Sequence, residues 1–173
     1  MSNADAPRAP RHTGGCQCGA VRFAVYADPI KIGICHCRMC QKAVAGPFAV
    51  LAEVPVAQFA WTRGAPPASF QSSTRAARDF CAACGTPLSY RHLGGPIIEL
   101  LTGAFDHPAR LPPSYAVGTE SMLTWLADVA RLPGKTTSAN LASQPTADII
   151  SFQHPDYDTN PDWQPPRPTA SDP

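Results

Sequence analysis

The sequence has little charge and no long apolar run. Only 16% of its 173 residues are charged, and 14 basic residues against 13 acidic ones leave a net charge of +1. Affinity for nucleic acids and anionic lipid surfaces comes mainly from accumulated positive charge, so we expect neither as a partner. No apolar stretch approaches the roughly 18 residues that a membrane helix needs. The first residues also contain no hydrophobic segment of a secretory signal, so we expect a cytoplasmic protein.

The length predicts one domain with one core, and a hydrophobic content of 44% is sufficient for it to pack. We expect a disordered lead over residues 1–13, a folded domain over 14–133 and a Pro-rich extension over 134–173. The extension is too polar to form a core of its own. Five apolar residues could anchor it on the domain or on a partner chain: Ile149, Ile150, Phe152, Tyr157 and Trp163.

Short apolar segments with frequent Gly and Pro between them predict an all-β fold, a sandwich or barrel-like domain. Residues 21–26 alternate in hydrophobicity, which predicts a half-buried strand. Helix is scarce, with one short helix expected over 37–44 and a second over 123–130. Further strands are expected over 48–54, 58–61, 68–71, 78–80, 87–91 and 96–101.

Cysteine is the one abundant reactive residue, with seven copies in three tight groups. An odd number cannot form a fully paired disulfide framework, and disulfides are rare in a reducing cytosol. Zinc binds thiolates at about 2.3 Å, so the sulfurs of a tetrahedral site lie about 3.8 Å apart, a spacing that close neighbours in sequence reach easily. The groups are Cys16 with Cys18, then Cys35 with Cys37 and Cys40, then Cys81 with Cys84.

The count suggests a division into four ligands and three. A structural zinc is closed by four protein ligands, whereas a catalytic zinc keeps three and leaves one position for water or substrate. Cys16, Cys18, Cys81 and Cys84 would form the closed site. Cys35, Cys37 and Cys40 would form the open one, with a helix beginning near Cys37 whose first amides favour the thiolate.

Other interpretations of the cysteines stay open on the residues alone. All seven can be small buried apolar side chains. Cys81 and Cys84 can form a redox pair, although no βαβ pattern surrounds them. A single zinc with three spare thiols is the strongest competitor.

Three motifs carry a resemblance to a known family. Residues 15–23 read GCQCGAVRF, residues 35–40 read CHCRMC, and residues 78–91 read RDFCAACGTPLSYR. In this order and spacing they are similar to the glutathione-dependent formaldehyde-activating family, whose domain is shared with centromere protein V. Residues 103–108, GAFDHP, resemble a turn of the same family.

The resemblance implies a β-tent fold, short-stranded sheets stapled by zinc, with two zinc ions per chain. It implies a structural zinc on Cys16, Cys18, Cys81 and Cys84 and a catalytic zinc on Cys35, Cys37 and Cys40. The implied activity is carbon–sulfur lyase chemistry, in which S-(hydroxymethyl)glutathione interconverts with glutathione and formaldehyde. The implied partner is a small thiol such as glutathione.

Several other polar residues have weaker expectations. Arg38, Gln41 and Lys42 are either solvated surface residues or ligands for the carboxylates of the substrate. His36 is expected in the surroundings of the ligands or at the surface, and Arg78 near the four-cysteine site. His92, His107 and His154 are expected in surface loops, and Phe48, Trp61 and Phe105 in the core.

Two functions from different classes remain after this reading. The first is a zinc-dependent carbon–sulfur lyase for a thiol–aldehyde adduct. The second is a zinc-stabilised β-tent binding module without activity. The complete set of Cys35, Cys37 and Cys40 favours the enzyme, because a module would need only the four-cysteine site.

Overall fold

A computed structural model describes residues 8–64, 66–141 and 150–165. The described part is mainly β-structure, as the sequence predicts. The strands are β1 (His12–Gly15), β2 (Arg22–Val25), β3 (Lys31–Cys35), β4 (Ala49–Pro55), β5 (Phe59–Arg63), β6 (Ala68–Gln71), β7 (Ala76–Phe80), β8 (Pro87–His92), β9 (Ile97–Leu101) and β10 (Tyr115–Val117).

The helices of this part are short. The α-helices are α1 (Arg38–Val44) and α2 (Thr137–Leu141), and 3-10 turns cover Val56–Gln58, Thr102–Ala104, Pro108–Arg110, Thr119–Ser121 and Thr124–Arg131. None of these helices has the length and apolar character that crossing a membrane requires.

The strands form two sheets. The smaller sheet has the order β1-β2-β5 and is antiparallel throughout. The larger sheet has the order β10-β3-β4-β9-β8-β7-β6, in which only the β10–β3 pair is parallel. Successive strands β6 to β9 are neighbours, so tight turns join them, and one of these turns carries Cys81 and Cys84.

The main core lies between the sheets. The smaller sheet contributes Phe23 and Val25, and both side chains are fully buried. The larger sheet contributes alternate residues of β4 and β9, which face the same side because side chains alternate along a strand. Cys16 and Cys81 belong to this core, whose strand residues also include Ala52, Val54, Leu88, Ile98 and Leu100.

A second, smaller apolar cluster involves the other residues of the same strands. Ala49 and Leu51 of β4 and Leu101 of β9 pack with Cys40 of α1. Cys35, Cys37 and Tyr90 lie against this cluster. The larger sheet therefore contributes to two separate apolar clusters, and each cluster contains one of the two cysteine groups.

The structure corrects several predicted boundaries. β1 begins at His12, inside the range predicted as a disordered lead, while residues 1–7 lie outside the described residues. β2 is buried along its whole length rather than half-buried, because it is the central strand of its sheet and Arg22 is covered by Asp106 and Asp158. The second predicted helix is a 3-10 segment, Thr124–Arg131.

Candidate metal centres

Four cysteines meet where two turns approach each other. Cys16 and Cys18 lie between β1 and β2, and Cys81 and Cys84 lie between β7 and β8. All four sulfur atoms lie within 4.8 Å of one another. The Sγ of Cys18 is 3.6 Å from that of Cys16 and 3.8 Å from that of Cys81, the spacing of a tetrahedral thiolate site.

Backbone and hydroxyl donors surround these sulfurs. The amide of Val21 donates to the Sγ of Cys16 over 3.2 Å. Gly85 has a φ of 77° and its N–H donates to the carbonyl of Cys81, which closes the second turn as the glycine predicted. Burial raises the pKa of Cys84, but hydrogen bonds from the hydroxyl and amide of Thr86 outweigh it and lower this pKa to about 6.

The C-terminal segment packs on this cysteine group. The amide of His154 donates to the carbonyl of Gln17 over 2.7 Å. The rings of His154 and Trp163 meet edge to face at 4.6 Å, and a Cβ on Gly19 would lie within 3 Å of both. Arg63 donates to the carbonyls of residues 160, 161 and 163, which fixes the end of the segment.

A buried ion pair lies close to the same segment. Arg22 and Asp106 are each nine-tenths buried and form two parallel hydrogen bonds, with Nη1 of Arg22 2.9 Å from Oδ1 of Asp106. Asp158 of the C-terminal segment accepts a further bond from Arg22. Burial raises the pKa of Asp106, but Arg22 and Thr13 outweigh it, so this pKa lies below its ordinary value.

The other three cysteines form a group of their own. Cys35 ends β3, Cys37 is the N-cap of α1, and Cys40 lies in the first turn of that helix. Their sulfur atoms lie within 4.8 Å of one another, and those of Cys35 and Cys37 are 3.4 Å apart. Cys40 is buried, whereas Cys35 and Cys37 are partly exposed.

β10 holds the three-cysteine segment in place. Val117 pairs with Cys35, and its carbonyl accepts a 2.9 Å hydrogen bond from the amide of His36. Gly118 follows with a φ of 66°, and a Cβ there would lie 2.7 Å from the nitrogen of Cys37. Only glycine combines this backbone conformation with so close an approach.

The surroundings shift the pKa values of two of these thiols in opposite directions. Burial, together with the hydrogen bonds that the Cys35 thiol donates to the sulfurs of Cys40 and Cys37, raises the pKa of Cys35 to about 12. Burial also raises the pKa of Cys37, but the amides of Cys40 and Met39 and the neighbouring thiols lower it overall. The group therefore holds one thiol in its neutral form while it favours ionisation of another.

Arg78 is the cation next to this group. Its Nη2 lies 3.4 Å from the Sγ of Cys40, and its guanidinium lies 4.9 Å from the ring centre of Tyr90. The sequence-based expectation that Arg78 lies near the four-cysteine site is wrong. Its strand, β7, precedes Cys81 directly, but the side chain belongs to the opposite cluster.

A cavity of about 260 Å³ opens at the three cysteines. Its walls come from α1 and from six strands of the larger sheet, β3, β4, β7, β8, β9 and β10, and they include Arg78, Tyr90, His92, Glu99 and Tyr115. A groove of about 690 Å³ runs beside α1, and Met39 and Arg78 line both spaces. The groove is mostly apolar, with Phe70 and Leu101 in its walls and Arg38 and Lys42 along it.

The structure places the remaining predicted residues as follows. His36 is buried against the ring of Phe48, and its Nδ1 has no hydrogen-bond partner among the described residues. His154 is buried and not in a surface loop, because the C-terminal segment folds back on Gly19. Gln41 is also buried and donates to the carbonyl of Ser121.

Some of the predicted aromatic and apolar residues are buried and others are exposed. Phe105 is in the core, and Phe48 and Trp61 are partly buried. Trp163 does anchor the extension on the domain, but Ile150, Phe152 and Tyr157 are exposed. Ile149 lies outside the described residues. His92 is exposed at the end of β8 and His107 is exposed as expected.

Sequence reasoning missed three features of the site: Tyr90, Glu99 and Gly118. Tyr90 and Glu99 are ordinary polar positions in short strands, and nothing in one sequence shows which face they occupy. A glycine before a Thr-Glu pair likewise indicates a turn but not a contact with Cys37.

Both cysteine groups fit a metal ion. A thiol that coordinates a metal ion is deprotonated, and thiolates packed at these distances repel one another. The positive charge of a bound cation would offset that repulsion. The four-cysteine group can close a coordination sphere with protein ligands alone. The three-cysteine group would hold an ion with three protein ligands, and the cavity lies beside these thiols.

Comparison with known proteins identifies the family of this chain. The family model described as glutathione-dependent formaldehyde-activating enzyme matches residues 11–121, and the chain belongs to this family. The match includes all seven cysteines and ends before residue 122.

Two individual proteins are similar to parts of this chain. A Schizosaccharomyces pombe protein named an uncharacterized lyase is 27% identical over 86 residues, which cover 50% of this chain and 61% of that relative. A crystal structure of a Rhodobacter sphaeroides protein is 22% identical with a TM-score of 0.50, covering 61% of this chain and 99% of the other. The second likeness supports the fold alone.

Proposed function

We propose that this protein is a zinc-dependent carbon–sulfur lyase acting on a thiol–aldehyde adduct such as S-(hydroxymethyl)glutathione. Membership of the glutathione-dependent formaldehyde-activating family supports this reaction, as does the relative named a lyase. The observation that carries the proposal is a complete three-thiol group, separate from the four-thiol group, at the mouth of a cavity.

Zinc is the proposed metal of both groups, with two ions per chain. Sulfur-only donor sets favour zinc among the common divalent ions of proteins. Cys16, Cys18, Cys81 and Cys84 would hold a structural ion that joins β1 and β2 to β7 and β8. Cys35, Cys37 and Cys40 would hold the catalytic ion with one position free.

The bound ion would favour the thiolate form of a substrate sulfur at neutral pH. The residues of the chain arrange the rest of the site. Arg78 lies beside Cys40 and offers positive charge where the leaving sulfur becomes negative. Tyr90 forms an adjoining wall of the cavity, which limits the space around the reacting carbon.

The adjoining groove would bind the remainder of the thiol. A glutathione-like substrate carries two carboxylates, and three cations line the groove, Arg38, Lys42 and Arg78. Arg38 and Lys42 are exposed on α1 and free of ion pairs in the described part of the chain. The volume of about 690 Å³ suits an extended tripeptide better than a simple alkyl thiol.

Seven thiols without a disulfide among them favour a reducing compartment. We therefore place the protein in the cytoplasm, where glutathione is also available as the thiol.

The test is turnover of S-(hydroxymethyl)glutathione by the zinc-loaded protein. Cys37→Ser should reduce kcat at least about 100-fold and leave one zinc and a native fold, because only the open site is damaged. Ala82→Ser, an exposed change between two ligands of the closed site, is the matched control and should keep full activity. Equal turnover by the Cys37→Ser variant contradicts the proposal.

A further inference from the structure

Glu99 differs from the other carboxylates near the three-cysteine site. Its side chain is partly buried in the wall of the cavity, and it makes no hydrogen bond or ion pair with any residue in the described ranges. Its neighbour Glu53 is satisfied, because Tyr115 donates to it over 3.1 Å and Lys31 lies 3.2 Å away. A half-buried carboxylate without a partner costs stability, so its position requires another explanation.

The strand register brings Glu99 close to the reacting groups. Glu99 of β9 pairs with Tyr90 of β8, and Tyr90 pairs with Arg78 of β7. Directly opposed side chains of neighbouring strands lie about 5 Å apart. Tyr90 packs against the three-cysteine cluster, and Arg78 donates to Cys40. One side chain therefore separates Glu99 from the cysteines, along a wall of the same cavity.

The surroundings of Glu99 favour its protonated form more than those of an ordinary glutamate. Burial raises its pKa first, and the negative charge of Glu53, its direct partner across β4, raises it further. His92, Lys31 and Arg78 act in the opposite direction without cancelling these effects. Tyr90, Tyr115 and the thiols of Cys35, Cys37 and Cys40 complete the titratable groups that line this cavity. A carboxylate with a raised pKa in the wall of a cavity is typical of acid–base sites.

We propose that Glu99 is the proton-transfer residue of the reaction at this site, a role that rests on the lyase function proposed above. In the cleavage direction, the Glu99 carboxylate takes the proton of the substrate hydroxyl. The oxygen–carbon bond becomes the double bond of formaldehyde, and the carbon–sulfur bond breaks with its electron pair on sulfur. In the reverse direction the protonated Glu99 gives that proton back to the aldehyde oxygen as the thiolate attacks carbon.

The kinetic test compares three single substitutions in the zinc-loaded protein, since the chain has only three glutamates. Glu99→Gln should lower kcat by at least about 100-fold with little change in KM, the size of effect typical of general acid–base catalysis. Glu120→Gln, at an exposed position, should leave turnover unchanged. Glu53→Gln should move the acidic limb of the pH–rate profile to lower pH, because removing a negative neighbour lowers the pKa of Glu99.

A second readout does not depend on activity. The NMR spectrum of protein labelled with ¹³C at the side-chain carboxyl carbons of glutamate should contain three signals. Each substitution removes one signal, which assigns that signal to the substituted residue. The Glu99 signal should titrate with a pKa above the ordinary glutamate value of about 4.3. In the Glu53→Gln variant, this pKa should lie closer to the ordinary value.

The outcomes separate the two proposals. Full turnover by Glu99→Gln, or an ordinary titration of Glu99 that Glu53→Gln leaves unchanged, overturns the role of Glu99 while the lyase function stands. A wild-type protein that holds zinc on both cysteine groups but cleaves no thiol adduct overturns the lyase function and this role with it.

Discussion

The backbone N–H of His154 donates to the carbonyl oxygen of Gln17, the residue between Cys16 and Cys18, over 2.7 Å. A residue 136 positions after Cys18 therefore supports the loop that carries two of the four clustered thiols. The family match ends at residue 121, so this support comes from a segment that the family model does not include. Trp163, Arg63 and Asp158 hold the segment in place.

Replacing Trp163 with Ala should weaken the four-cysteine site. The indole packs on His154 and Gly19, and its loss should cost roughly 2 kcal/mol and lower the melting temperature. Zinc should also pass to a chelator several-fold faster from this site. Tyr157→Ala, an exposed aromatic on the same segment, is the control and should change neither quantity. Identical zinc release from both variants would contradict a supporting role for the segment.

Gly118→Ala should disturb the three-cysteine site through the backbone of Cys37. A φ of 66° costs an L-residue about 1–2 kcal/mol, and the new Cβ would also meet the nitrogen of Cys37 at 2.7 Å. Gly94→Ala isolates the first effect, since its φ is 71° and nothing lies within 4 Å of the added carbon. We expect both variants to lose some stability and only Gly118→Ala to lose its weaker zinc. Measured zinc per chain decides this, and equal zinc content in the two variants would refute it.

Asp106→Asn should destabilise the fold by about 3–5 kcal/mol, because it removes the buried counter-charge of Arg22 and leaves only the exposed Asp158. Denaturant unfolding measures the loss. Asp128→Asn, which breaks an exposed pair with Arg131, is the control and should be silent.

The same ion pair predicts a pH dependence of stability. The pKa of Asp106 is lower in the folded protein than its ordinary value of about 3.9. The stabilisation is therefore complete above that ordinary value and is lost as pH falls through the lower, folded-state pKa. Unfolding free energies measured between pH 6 and 2 should show this acid-dependent loss of stability in the wild type. The Asp106→Asn variant should lack this contribution. A variant whose stability falls with acid as steeply as that of the wild type would contradict the assignment.

Arg78→Met should keep the apolar stem and remove the positive charge beside Cys40. We expect a fall in kcat of roughly tenfold and easier loss of the second zinc, since a charge-assisted hydrogen bond to a thiolate contributes about 1.5–3 kcal/mol. Arg78→Lys should recover little, because a lysine cannot reproduce the planar contact with both Cys40 and Tyr90. Arg75→Met, an exposed change nearby on the chain, should have no effect. Full activity in Arg78→Met would exclude this role.

Local signals in the sequence were sufficient for much of the fold. β6 covers the predicted residues 68–71, and α1 begins one residue after the expected start at 37. Alternating hydrophobicity and turn residues act over a few positions, so they place such elements without knowledge of the partners. β3 was missed because Gly33 interrupts its apolar pattern, and β10 because only three residues pair.

Contacts between distant segments could not be read in this way. The sequence predicted which cysteines lie together, because their spacing is itself the signal. It misplaced Arg78, since the face that a strand residue occupies depends on the register of its neighbours. It also missed the burial of His154, because a Pro-rich polar segment gives no sign that it folds back on residues 17–19.

The zinc content of the protein, followed together with lyase activity during mild chelation, tests the central claim most directly. We predict two zinc ions per chain, one of which leaves early together with the activity while the fold remains intact. The second should leave only on unfolding, and Cys40→Ser should contain this ion alone. A wild-type protein with one zinc, unchanged by Cys40→Ser and not restored to two by added zinc, would contradict the claim that Cys35, Cys37 and Cys40 form a catalytic metal site.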